Sequence, residues 1–212
     1  MRRTASLLAS LVLTLSLVSS SSAVVIGNFE SGLDGWWSSQ TAVLSNSPIG
    51  ATLGSQALQI DDSGGWHMSA LYDAKPLAGI LSATGAAISV DLTVFPADIT
   101  SPWMNVGMVI NGQNHDDNGN APHNNIGWQD LGQLSVALDG QAHTYSWAIP
   151  DALRAMIAGI DQNIQWFEIA LISNLDGASV TKYYVDNIQV VPEPATLALL
   201  GLGGLGLLRR RQ

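Results

Sequence analysis

Hydrophobic and polar positions alternate through most of the middle of the chain. Ile88, Val90, Leu92 and Val94 alternate with Ser89, Asp91 and Thr93, which is the period of a strand with one buried face. The same period runs through Met104, Val106, Met108 and Ile110, through Tyr145, Trp147 and Ile149, and through Phe167, Ile169 and Leu171. Shorter strands are predicted at 24–30, 55–60, 66–73 and 180–190, with Gly, Asn, Asp and Pro between them. Only 151–160 reads as a helix: behind Pro150, the residues Leu153, Met156, Ile157 and Ile160 share one face. Many short strands without βα alternation predict an all-β fold, an antiparallel β-sandwich or jelly roll with one short helix.

Both ends depart from this pattern. Residues 1–23 begin with Arg2 and Arg3, continue with an apolar run from Leu7 to Val18, and close on the small residues Ser19 to Ala23. That is the build of a secretory signal cleaved after Ala23. A run of twelve residues makes about 18 Å of helix, too short for a hydrocarbon core of about 30 Å. At the other end Pro192 and Pro194 close a strand, and an apolar run from Ala195 to Leu208 leads to Arg209, Arg210 and Arg211. This run makes about 21 Å of helix, a marginal membrane segment with its basic end on the cytoplasmic side. The chain thus divides into a signal (1–23), a β-sandwich domain (24–191) and a tail (192–212).

Charge and composition narrow the function of the central domain. Between Val24 and Val191 three basic residues (Lys75, Arg154 and Lys182) face sixteen acidic ones, a formal charge of −13. Such a surface repels phosphate backbones, which excludes a nucleic-acid partner, and anionic headgroups fit it no better. No cysteine is present, so disulfides and thiolate-held metals are excluded. All seven tryptophans lie in this acidic middle, as in a folded domain.

The tail resembles a known signal. Val191-Pro192-Glu193-Pro194, a Gly/Leu-rich segment and the terminal arginines follow one another as in the PEP-CTERM sorting signal. That signal belongs to Gram-negative-type bacteria that make extracellular polysaccharide. The resemblance implies recognition by an exosortase, a membrane-embedded cysteine protease. Cleavage near Pro192, Glu193 and Pro194 would pass the protein to the envelope, surface or extracellular matrix after transient anchoring in the inner membrane.

The central domain carries a second resemblance. Asn28-Phe29-Glu30-Ser31-Gly32-Leu33-Asp34-Gly35-Trp36 is similar to the opening of carbohydrate-binding modules of the galactose-binding-like jelly-roll class. Tyr183-Tyr184-Val185-Asp186-Asn187-Ile188-Gln189-Val190 is similar to their final strand. The resemblance implies that Glu30 and Asp186 share a structural calcium with backbone carbonyls. Calcium takes six to eight oxygens and suits an exported acidic domain. Asp61 or Asp62 is a further candidate for that corner. In this class the outer, concave sheet commonly carries a glycan cleft.

Parity supplies the candidate ligand residues. With Met104 to Ile110 facing the core, Trp103, Asn105 and Asn111 face out, as do Trp166 and Glu168 on their strand and Asp91 on its own. Indole planes stack on the C–H face of a sugar ring, while amides and carboxylates bond its hydroxyls. The alternative is that these tryptophans are covered as a second small core. Trp36, Trp66 and Trp128 lie near turns and are candidates for the rim of a site, whereas Trp147 belongs to the core. Asn114–Gly119 resembles the start of a calcium loop, but its twelfth position is Asn125 rather than Glu, which favours a polar turn.

Catalytic signals are weak. A carboxylate pair such as Glu168 with Asp91 is unspecific among sixteen acids, no Gly-x-Ser-x-Gly elbow occurs, and the four histidines are scattered. The expected function is therefore a non-catalytic, exported domain that binds polysaccharide or exopolymer. Two alternatives stand beside it, a purely structural surface or matrix protein and a small polysaccharide-cleaving enzyme.

Overall fold

The alternating segments form strands that pair antiparallel throughout. The structure, a computed structural model, describes residues 22–113, 126–160 and 164–192. In chain order the strands are β1 (Val24–Gly27), β2 (Val43–Ser47), β3 (Ala57–Asp73), β4 (Ala87–Thr93), β5 (Met104–Gln113), β6 (Gly127–Ser135), β7 (Ala142–Ala148) and β8 (Trp166–Val191). Helix α1 (Ala78–Leu81) follows a 3-10 turn at Lys75–Leu77, and α2 (Asp151–Ala158) lies where the sequence predicts its helix. Residues 1–21, 114–125, 161–163 and those beyond Pro192 lie outside the described residues, and with them most of the expected signal, the turn expected at Asn114–Gly119 and the tail.

Two pairs of predicted strands merge. The segments expected at 55–60 and 66–73 are one strand, β3, and those expected at 166–171 and 180–190 are one strand, β8. They run together as an antiparallel ribbon whose register shifts between Ser63 and Gly65. A Cβ at Gly64 would lie 2.1 Å from the Asp176 carbonyl oxygen, and Gly65 has φ +112°. Glycine is required there because one backbone presses on the other.

At this kink the ribbon passes from one sheet to the other. The first sheet joins β2, the first half of β3, the second half of β8, β4 and β7, with β1 also on β8. The second joins the second half of β3, the first half of β8, β5 and β6. The result is an antiparallel β-sandwich.

Its core contains most of the set that alternation singles out, together with Leu58, Ile60 and Val185. Leu58, Ile60, Ile88, Val90, Leu92 and Val185 from the first sheet join Met104, Val106, Met108, Ile110, Phe167, Ile169 and Leu171 from the second. Trp147 is buried among them, with its indole N–H donating to the Gly132 carbonyl at 3.0 Å. Helix α2 buries Leu153 and Ile157, and its Arg154 donates to the Ile149 and Ala83 carbonyls. The strands β2 and β6 escape prediction because both are edge strands with mostly exposed side chains and no apolar alternation.

One cluster of polar groups is buried within this core. Asp62 accepts hydrogen bonds from Ser69 Oγ and Ser173 Oγ, each at 2.7 Å, and from the Ser63 amide at 2.8 Å. His67 Nδ1 lies 3.3 Å from Asp62 Oδ1 and 3.1 Å from the Ser63 carbonyl, so this nitrogen carries a proton. Burial and the nearby Asp62 charge push the Tyr183 phenol far above its usual range.

Candidate functional site

Two regions gather the chemistry-bearing residues. The first is the corner where the opening motif meets the last strand. Asp34 Oδ2 accepts the amides of Asn28 and Phe29 at 2.9 and 2.6 Å, which holds Phe29 at φ 55° with its ring fully buried. Trp36, expected at a rim, is instead buried and donates its indole N–H to the Ile26 carbonyl at 3.0 Å. The motif is a structural turn closed by an Asp side chain.

Glu30 and Asp186 both reach the loop between β2 and β3. Glu30 Oε1 accepts the amides of Ser55 and Gln56, each at 2.7 Å, and Oε2 accepts Ser55 Oγ at 2.9 Å. Those backbone and hydroxyl donors lower the pKa of Glu30 below the ordinary glutamate value. Asp186 is fully buried; its Oδ2 accepts the amides of Thr52 and Leu53 at 2.6 and 2.7 Å, and its Oδ1 that of Asn187 at 2.7 Å. Asn187, at φ 49°, sits where the β4–β8 register shifts, so the Asp-Asn pair forms a bulge that turns Asp186 toward the loop.

Each of the four oxygens accepts at least one hydrogen bond from an N–H or O–H donor, so in this arrangement Glu30 holds the loop between β2 and β3 and Asp186 holds both that loop and its own bulge. Among the described residues no group of three or more His, Cys, Asp or Glu side chains is placed to hold a metal. Asp61 and Asp62 are engaged elsewhere, Asp61 near Lys182 and Asp62 in the buried cluster. Asp91 joins this corner: it accepts from Thr52 Oγ1, Thr144 Oγ1 and Asn187 Nδ2 at 2.8, 2.6 and 3.0 Å.

The second region is the outer face of the second sheet. Cross-strand partners share a face, so the register assigns its residues. Asp73, Glu168, Asn111 and Trp128 form one row; Leu71, Ala170, Val109 and Asp130 the next; and Trp66, Asn174, Asn105 and Ser135 lie farther along. Trp166 and Trp103 extend the face at its two ends by the same alternation. Four of the five sequence-derived ligand residues (Trp103, Asn105, Trp166 and Glu168) thus fall along this face. Asp91 does not: it points out from the first sheet, on the opposite side of the sandwich. The tentative acid pair of Glu168 with Asp91 is therefore not assembled.

Sequence reading assigns Trp66 and Trp128 only to a rim, but they dominate this face. They stand on its two outermost strands, β3 and β6, with β8 and β5 between them. Their ring centroids nevertheless lie 5.6 Å apart at 49°. Twist and curl of the sheet bring these diagonal corners together, so the ring pair arches over the central strands. On the face it crosses, Leu71, Val109, Ala170 and Ile172 form a small buried cluster of their own, packed with Met68. Both indoles stay over 40% exposed.

Polar groups surround this aromatic arch. Asn111 Nδ2 donates to Glu168 Oε1 at 3.1 Å, and Asn174 Nδ2 donates to Gln133 Oε1 at 3.0 Å. Asp130 accepts its own turn amide, Gly132 N–H, at 2.8 Å. The face offers stacking planes, amides and carboxylates close together.

Comparison with known proteins agrees with this arrangement at the level of fold. The C-terminal family 22 carbohydrate-binding module of Clostridium thermocellum Xyn10B is 13% identical, with a TM-score of 0.54 over 83% of this chain and 94% of that one. The CBM22-2 xylan-binding domain of Paenibacillus barcinonensis Xyn10C is 15% identical, with a TM-score of 0.55 over 78% and 97%. A structure of carbohydrate-binding modules from the β-sandwich superfamily gives 16% identity and a TM-score of 0.52 over 79% and 61%. No curated protein matches in sequence. Residues 190–212 match the PEP-CTERM protein-sorting motif, a signal of exported, envelope-directed proteins. Among the described residues no helix is long and apolar enough to cross a membrane.

Proposed function

We propose that this protein is an exported, non-catalytic polysaccharide-binding domain, with its glycan site on the outer face of the second sheet. The observation that carries the proposal is the exposed Trp66–Trp128 pair over a face lined by Glu168, Asp130, Asn111, Asn174 and Asn105. Indole faces stack on sugar C–H surfaces, and the surrounding amides and carboxylates accept and donate to hydroxyls. The likeness to carbohydrate-binding modules supports the reading through the fold, which alone does not assign function. The sorting tail implies that an exosortase processes the chain near Pro192, Glu193 and Pro194 and hands it to the envelope or matrix.

Calorimetric titration with xylan, cellulose and bacterial exopolymer fragments tests the site. Binding that weakens about tenfold or more in Trp128→Ala or Trp66→Ala is the expected result. Absence of binding across the panel, or binding indifferent to both substitutions, would remove the site.

A further inference from the structure

Each of the three basic side chains between Val24 and Val191 is held by a partner other than a carboxylate of the aromatic face. Lys75 Nζ, at the Trp166 end of that face, donates to the Gln165 carbonyl at 2.8 Å. Arg154 is tied to backbone carbonyls and Asp151 at helix α2. Lys182 lies 3.8 Å from Asp61 Oδ1 on the first sheet. The aromatic face holds Asp73, Glu168 and Asp130, and none of these three carboxylates takes part in an ion pair among the described residues.

Exposed indoles on one face with carboxylates that form no ion pair among the described residues make an environment suited to a cation. An ammonium group gains from the ring quadrupole and from charge-assisted hydrogen bonds to carboxylates, and the strongly acidic domain steers it inward. A uronate or sulfate group is opposed by the same acidic field. We infer that the glycan taken by this face carries free primary amines, as in a de-N-acetylated amino-sugar polymer. This inference rests on the glycan-binding reading above and narrows its substrate class.

The test compares four probes on the full chain by calorimetry, in mildly acidic buffer where amines are charged and carboxylates ionised. They are a β-1,4-glucosamine hexamer, its fully N-acetylated counterpart, an oligogalacturonate of equal length, and hexalysine. The expected result is that the amine hexamer binds about tenfold more tightly than the acetylated one, with no galacturonate binding. That ratio shrinks in high salt and in the double variant Glu168→Gln, Asp130→Asn. Trp128→Ala weakens the amine hexamer but leaves the weak hexalysine signal in place, since bulk charge does not need the indole.

Acetylated hexamer binding as tightly as the amine form, or galacturonate binding, overturns the amine preference and leaves glycan binding standing. Hexalysine binding as tightly as the amine hexamer also overturns it, because bulk charge then accounts for the preference. If no sugar probe binds, and xylan and cellulose also fail, the glycan-binding reading falls and the inference falls with it.

Discussion

The two sheets turn the same residue types to opposite uses. At the outer corner of the first sheet, Glu30, Asp91 and Asp186 are each surrounded by donors from Thr52, Leu53, Ser55, Gln56, Thr144 and Asn187. On the outer face of the second, Glu168 and Asp130 each have, among the described residues, a single side-chain or turn donor, and two tryptophans stand exposed on the same face. A carboxylate filled by backbone amides holds a loop in place, because removing it strands those amides. One with open lone pairs beside an aromatic plane is free to meet a ligand. Donor occupancy, rather than residue type, separates scaffold from site.

The largest expected effect breaks the first region. Asp186→Ala leaves the amides of Thr52 and Leu53 without an acceptor in a buried setting, at a cost of about 3 kcal/mol. Thermal unfolding should show a midpoint lower by about 6–12 °C, with the strands of the second sheet still paired in the folded state by hydrogen exchange. A loss under about 1 kcal/mol would mean that the loop finds other acceptors.

Trp128→Ala probes the second region with the opposite profile. Its indole is over 40% exposed, so stability should fall by only about 1 kcal/mol while glycan affinity drops about tenfold. Equal losses of stability and binding would erase the distinction between the two regions.

A smaller effect concerns pH. The Ser55 and Gln56 amides depress the Glu30 pKa below 4.5 in the folded chain. The stability this provides is present above the unfolded value and is lost as pH falls through the folded one. Glu30→Gln should therefore flatten the acid limb of the stability curve below about pH 4.5 and change little at neutral pH. An unchanged acid limb would show that Glu30 does not hold the loop in solution.

The smallest expected response is to calcium. With the Glu30 and Asp186 oxygens occupied by donors, calcium or EDTA should shift the unfolding midpoint by less than about 1 °C. A rise of several degrees with calcium would mean that these oxygens change partners and that the corner is a metal site.

The strand period was legible because it repeats every two residues wherever one face is buried. It predicted β4, β5, β7 and the starts of β1 and β8, along with the helix behind Pro150. The exported, sorted character was legible too, since Pro192-Glu193-Pro194, the short apolar run and the terminal arginines follow one another within one stretch of the chain. Outward-facing Trp103, Asn105, Trp166 and Glu168 followed from parity. Tertiary structure alone decided the rest. Parity names the side of a strand but not the sheet, so it could not separate Asp91 from Glu168, which the β3–β8 ribbon puts on opposite faces. Nor could spacing join Trp66 to Trp128, sixty-two positions apart and on opposite edges of a sheet whose twist brings their rings to 5.6 Å. The use of Glu30 and Asp186 as loop acceptors was equally out of reach, because a motif records which oxygens are present and only the folded chain shows what fills them.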